Sequence, residues 1–234
     1  MSIDEIGKYL PSEDPRRIPP IEGANFARQG KLNLLDLAIL GNGQPQGDIT
    51  LCQGLEANAP EPFRSLMLDE IKAIGAFYKG SYKEAEDGLR KVIERKEDLK
   101  IRGLAAGMWH YDVLPNERYI FLAQAIHKQG KDASLEFDRA IERAKAEPLT
   151  YSDRKVAELY LGKSDNLMSR KDQPADPEAA AKACTEGITL LNTSKDEKDR
   201  KVLAALYGAR AEALLALKKP EEAAADLRAA RESR

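Results

Sequence analysis

A spacing that recurs four times constrains this chain more than any other feature. A bulky residue is followed four positions later by a small one, and three later by an apolar or aromatic one. After a variable gap the rhythm returns as a small residue, a bulky residue or Cys, and a small or β-branched residue. The copies are Ile71, Gly75, Tyr78 / Ala85, Leu89, Val92; Tyr119, Ala123, Ile126 / Ala133, Phe137, Ala140; Tyr160, Ser164, Leu167 / Ala180, Cys184, Gly187; and Tyr207, Ala211, Leu214 / Ala223, Leu227, Ala230. Steps of four and three keep residues on one helix face, so each copy reads as two helices. Small residues let helix axes approach, and bulky ones fill the space between them. The expected fold is all-α, an α-solenoid of antiparallel helix hairpins, which suits binding better than chemistry.

Composition narrows the function classes. Thirty-seven basic against thirty-nine acidic residues give a net charge of −2. A dedicated nucleic-acid binder needs an excess of phosphate-neutralising charge, so no nucleic-acid partner is expected. The longest apolar stretch, Leu32 to Leu40, is interrupted by Asn33 and Asp36, which predicts no membrane span. The opening Met1-Ser2-Ile3-Asp4-Glu5 has no basic or apolar leader character, and the cytoplasm is the expected compartment. Cys52 and Cys184 are far apart in apolar patterns, so both are expected as buried thiols rather than a bridge.

Residues 1–24 carry Pro11, Pro15, Pro19 and Pro20 and read as an extended arm. Its Arg16 and Arg17 would complement an acidic groove. Residues 25–62 read as a degenerate first hairpin, broken at Gly41–Gly47 and ended by Pro60 and Pro62. The array fills residues 63–234, in units of about 65–99, 115–147, 152–192 and 196–232, with an insertion at about 100–114. Helix starts are marked by capping boxes at Ser81-x-x-Glu84 and Ser194-x-x-Glu197, by Asp176-Pro177 and by Pro220.

These residues resemble the tetratricopeptide repeat family. The fourth unit steps by 4, 3, 9, 4 and 3 residues, the family's own spacing, and Gly80-Ser81-Tyr82-Lys83-Glu84-Ala85 is similar to the family's inter-helix turn. The leading residues, however, advance by 48, 41 and 47 positions, whereas the family repeats every 34. The chain thus looks like an elaborated relative, and HEAT-like or other α-hairpin stacks also fit. The resemblance implies a concave groove, lined by the first helix of each hairpin, that binds a peptide. Projected by helical geometry, its lining is Asp69, Lys72, Ala76, Lys79; Glu117, Ile120, Gln124, His127; Glu158, Leu161, Asp165, Met168; and Ala205, Gly208, Glu212, Leu215. That groove is apolar and acidic toward its C-terminal half. A carboxylate-clamping subgroup of the family is a poor match, because Ala76 stands where an Asn is needed and Asp165 would repel an anion.

Motifs for chemistry are sparse. His110 and His127 are the only histidines, and His110-x-Asp112 has no ligand cluster around it. Gly41-Asn42-Gly43 lacks a phosphate-loop context, and neither Cys has a His at helical spacing. No cofactor, metal or catalytic residue is expected. Trp109 and Tyr111, flanking His110, form the densest aromatic spot, either an anchor for a partner or core for the insertion. The expected function is a non-catalytic scaffold or adaptor that binds a peptide or protein segment of basic and apolar character. A structural subunit of an assembly or a homo-oligomer is the alternative, and a receptor or enzyme with a hidden pocket a remote one.

Overall fold

The computed structural model describes residues 63–101, 117–146 and 151–233. The arm, the degenerate first hairpin, Cys52, Trp109, His110 and Tyr111 lie outside the described residues. Among the described residues there are eight helices and no strand: α1 Phe63–Tyr78, α2 Tyr82–Ile101, α3 Glu117–Lys128, α4 Ser134–Ala146, α5 Asp153–Ser169, α6 Pro177–Leu191, α7 Glu197–Ala216 and α8 Pro220–Glu232. The chain divides into two compact units, Met1–Phe121 and Leu122–Arg234.

In the first unit α1 packs on α2. Gly88 of α2 brings the two backbones together, since a Cβ there would stand 2.7 Å from the Ala73 Cβ. Leu89 and Val92 fill the contact and are fully buried. At the start of α3, Arg118 donates to the Glu70 carboxylate of α1, at 2.9 Å from Nε. Both side chains are buried, where such a pair is retained only with good geometry.

In the second unit α4 packs on α5, α5 on α6, α6 on α7 and α7 on α8, and α5 also touches α7. Ala157 of α5, Cys184, Ile188 and Leu191 of α6, and Leu203 and Leu206 of α7 form one buried cluster. Arg210 of α7 joins three helices. It makes two 2.7 Å bonds to Asp226 of α8 and donates to Thr185 Oγ1 of α6 at 3.1 Å. The Asp226 bonds, opposed by partial burial, push the guanidinium pKa further up.

Twenty of the twenty-four residues in the recurring spacing are buried. Tyr78 and Leu227 are exposed, Tyr207 is half-buried, and the side chain of Ile71 lies outside the described part. Tyr78 exposes an error of register. Three first helices end on the same turn, in which a residue of positive φ closes two bonds. Gly80 N–H donates to the Phe77 carbonyl and Ser81 N–H to that of Ala76; Gly130 and Lys131 bond likewise to His127 and Ile126; Lys218 and Lys219 bond to Leu215 and Leu214. Ala76 therefore takes the place of Ile126 and Leu214. The first copy is Asp69, Ala73, Ala76 / Ala85, Leu89, Val92, whose steps of 4, 3, 9, 4 and 3 equal those of the fourth copy. Size had favoured Tyr78, but the αL turn decides where the helix ends.

Of the expected helix starts, Asp176-Pro177 and Pro220 stand as read and Ser194 does not. Asp176 caps α6 by accepting from Ala179 N–H at 3.0 Å, with Pro177 behind it. Pro220 opens α8. At α7 the cap is Asp196 rather than Ser194: Asp196 Oδ1 takes the Lys198 and Asp199 N–H groups. Ser194 instead donates to Asp199.

Lys218, alone among the three turn residues of positive φ, is not glycine, at φ 60°. Replacing it with Gly should stabilise the protein by about 1 kcal/mol, and Gly130→Ala should cost about as much. Urea unfolding of the two variants checks both signs.

Candidate interaction face

The projected groove residues divide by unit. In the first unit, Ala76, Glu117 and Ile120 are buried and cannot line a surface. Lys72 and Lys79 are exposed, but the corrected register places Glu70, Ile74 and Phe77 at the projected positions. Of these Glu70 and Ile74 are buried and Phe77 is half-buried, making ring contacts with Tyr78, Tyr82 and Phe121. Asp69 is ion-paired with Arg95 of α2. On α1 the two-residue slip rotates the helix by more than half a turn and so displaces the projected lining, while on α3, whose register holds, Glu117 and Ile120 are taken into the core.

In the second unit the projection meets exposed or half-exposed side chains throughout. Gln124 and His127 on α3, Leu161 and Met168 on α5, and Gly208 on α7 are half-buried. Glu158 and Asp165 on α5, and Ala205, Glu212 and Leu215 on α7, are exposed. Because α5 touches α7, these residues form two apolar-and-acidic strips on neighbouring helices. Not all of the acids are unpartnered. Glu158 lies 3.5 Å from Lys155 and Asp165 lies 3.2 Å from His127. Glu212 has no ion pair among the described residues.

His127 is held by more than Asp165. Asn166 of α5, 0% exposed, accepts from Ala133 N–H at 2.8 Å through Oδ1 and donates to the Lys131 carbonyl at 2.8 Å through Nδ2. Those two bonds forbid an amide flip, so Nδ2 also faces His127 Nδ1 as a donor, at 3.3 Å. The ring must then accept at Nδ1 and carry its proton on Nε2, toward Asp165. Further bonds fasten the same turn: Lys171 N–H donates to the Gly130 carbonyl at 2.6 Å, Asp132 N–H to the Asp172 carboxylate at 2.9 Å, and Arg170 pairs with Asp132 at 3.1 Å. Burial raises the pKa of the Asp132 carboxyl, but Ser134 and the Arg170 guanidinium outweigh it and hold it below the usual carboxylate value.

A second position escaped the sequence reading. The residue just before the leading one is buried in three copies, as Arg118, Leu159 and Leu206. Two leucines at one register were a legible sign of a core position; Arg118 hid it, since its burial depends on Glu70. Cys184 is a buried free thiol, as the pattern predicted. Burial pushes its pKa up, and the thiol donates to Ser164 Oγ at 3.1 Å. Among the described residues, no three His, Cys, Asp or Glu side chains converge to hold a metal, and no helix is long and apolar enough to cross a membrane.

Asn166→Ala should cost about 2 kcal/mol, because it strands the buried Ala133 N–H and removes the bond to the part-buried Lys131 carbonyl; denaturant unfolding measures it. Asp132 gives a pH-dependent counterpart. Its folded carboxyl binds a proton less tightly than the unfolded one. It therefore stabilises the protein above the unfolded value, about 3.9, and the contribution disappears as pH falls through the lower folded value. Asp132→Asn should flatten this part of the acid limb in thermal melts between about pH 5 and 2.

Comparison with protein-family models, curated proteins and solved structures finds no match to this chain.

Proposed function

We propose that this chain is a non-catalytic protein-interaction scaffold, a divergent tetratricopeptide-like α-solenoid. It takes a peptide or protein segment of basic and apolar character on the α5/α7 face. The observation that carries this reading is the pair of strips just described. Leu215 is 53% exposed and shares its face with Glu212, while Leu161 and Met168 lie half-exposed beside Asp165. Exposed leucines bordered by acids on packed helices are a surface that a segment with apolar and cationic side chains would desolvate and neutralise. The helices beneath are rigidly joined, through the cluster around Leu206 and through Asn166, so a partner meets a preorganised face.

The same reading assigns the acids to steering and selection rather than to bulk affinity. Glu212 is the more available of the two, since Asp165 already faces the His127 ring. The two leucine-type contacts and Met168 supply the area, with Met adapting to the shape of the partner.

A labelled probe peptide of alternating Lys and Leu residues, titrated by fluorescence anisotropy, tests the assignment. Glu212→Lys should weaken binding about fivefold or more, which is roughly 1 kcal/mol, and Asp165→Lys by a similar amount. Leu215→Asp should weaken it further. Affinities that do not change on both charge reversals reject this face.

A further inference from the structure

The second helix of each described pair carries one central residue of the recurring spacing, bulky or Cys: Leu89, Phe137, Cys184 and Leu227. The first three are 0%, 2% and 0% exposed, and Leu227 is 46% exposed. The second unit shows what covers them. The Phe137 ring of α4 meets α5, where a Cβ on Gly162 would stand 2.9 Å from it. Cys184 of α6 is covered by Leu203 and Leu206 of α7, and Leu206 lies 2.9 Å from where a Gly187 Cβ would be. Each pair thus offers a seat for the first helix of the next. No described element occupies the seat on α7 and α8. It is an open cleft of about 560 Å³ lined by Lys201, Ala204, Leu227, Ala230 and Arg231, together with Ala205 and Gly208 at the edge it shares with the α5/α7 face.

The occupied seat on α5 and α6 shows what chemistry the open one asks for. By a shift of 47 positions Lys201 corresponds to Arg154 and Ala204 to Ala157; by a shift of 43, Leu227 corresponds to Cys184 and Arg231 to Ile188. Arg154 holds the incoming α7 by its acidic start, lying 3.5 Å from Asp196 and 3.3 Å from Asp199. The apolar contacts follow at Leu203 and Leu206, seven and ten positions after Asp196. In the open seat the corresponding cation is Lys201, engaged only in an exposed pair with Glu197, a kind that holds weakly. Arg231 adds a second cation, with no ion pair among the described residues. The cleft edge at Gly208 has room, since a Cβ there meets nothing within 4 Å.

We propose that the α7/α8 cleft docks an amphipathic helix of a partner protein, with acidic residues at its cap and first turn and leucine-type residues seven and ten positions after the first acid. Lys201 and Arg231 receive the acids, which also suit the partner helix's own dipole, and Leu227 packs between the leucines. This cleft is cationic where the α5/α7 face is acidic, so the two take partners of opposite charge.

A labelled peptide with the sequence of residues 196–216 serves as the probe, because that segment fills the occupied seat. Anisotropy titration against the full chain should show saturable binding. Leu227→Asp should weaken it at least tenfold, and the double variant Lys201→Glu, Arg231→Glu about as much. A probe with Asp196→Lys and Asp199→Lys should bind as poorly. Asp165→Lys, on α5 and away from the cleft lining, should leave it unchanged, which separates this cleft from the α5/α7 surface. The substituted cleft residues are exposed apart from any partner, and an unchanged circular dichroism spectrum verifies the fold. No saturable binding, or affinity indifferent to Leu227→Asp, overturns the proposal. So does a sedimentation result in which the chain pairs with itself and Leu227→Asp separates the copies, since the cleft would then belong to a second copy.

Discussion

The buried amide of Asn166 is the contact on which the second unit is organised. One side chain satisfies a backbone donor at Ala133 and a backbone acceptor at Lys131, so the turn between α3 and α4 can settle on α5 in one position only. A buried polar group in a medium of low dielectric tolerates little error, because each bond left unmade costs more than the bond contributes when made. With that turn placed, Arg170, Lys171 and Asp172 find partners on it, and Phe137 is brought under α5. The hydrophobic contacts supply most of the driving force, but they are nondirectional. The amide chooses among the ways in which the same apolar faces could meet.

In the second unit each helix from α4 to α8 packs on the next. A helix pair buries its own interface and leaves a face for the next element, and the residue at its centre stays dry only when that element arrives. Phe137 and Cys184 are covered in this way. Polar contacts accompany the seat and give it direction: Arg154 reads the acidic start of α7, and Arg210 ties α7 to α6 and α8 at once.

Much of this was legible beforehand. Periodicities of four and three give helices, and small residues such as Ala133, Ala180 and Ala223 mark where axes come close. The capping chemistry of Asp176-Pro177 marked one helix start correctly. Elsewhere the tertiary context overrides a local preference. Tyr78 looked like core because it is large, yet the αL conformation at Gly80 ends the helix so that Ala76 faces inward. That shift of two residues carried Lys72 and Lys79 away from the positions assigned to them. Ser194 looked like a cap because its spacing to Glu197 was right, but Asp196 stands nearer to the free N–H groups and accepts two.

Side-chain periodicity alone makes the described chain helical, marks most of its packed positions, and says roughly where helices begin and end. These are properties of short range, governed by side-chain spacing and by backbone groups a few positions apart. Which polar groups are paired inside follows from long-range packing. Glu70 and Arg118 are 48 positions apart and Asn166 and Ala133 are 33 apart, so nothing local to either partner announces the bond. The exposure of Leu227 is likewise a fact of three dimensions: its equivalents Phe137 and Cys184 are buried because a later helix lies over them, and no described helix lies over Leu227.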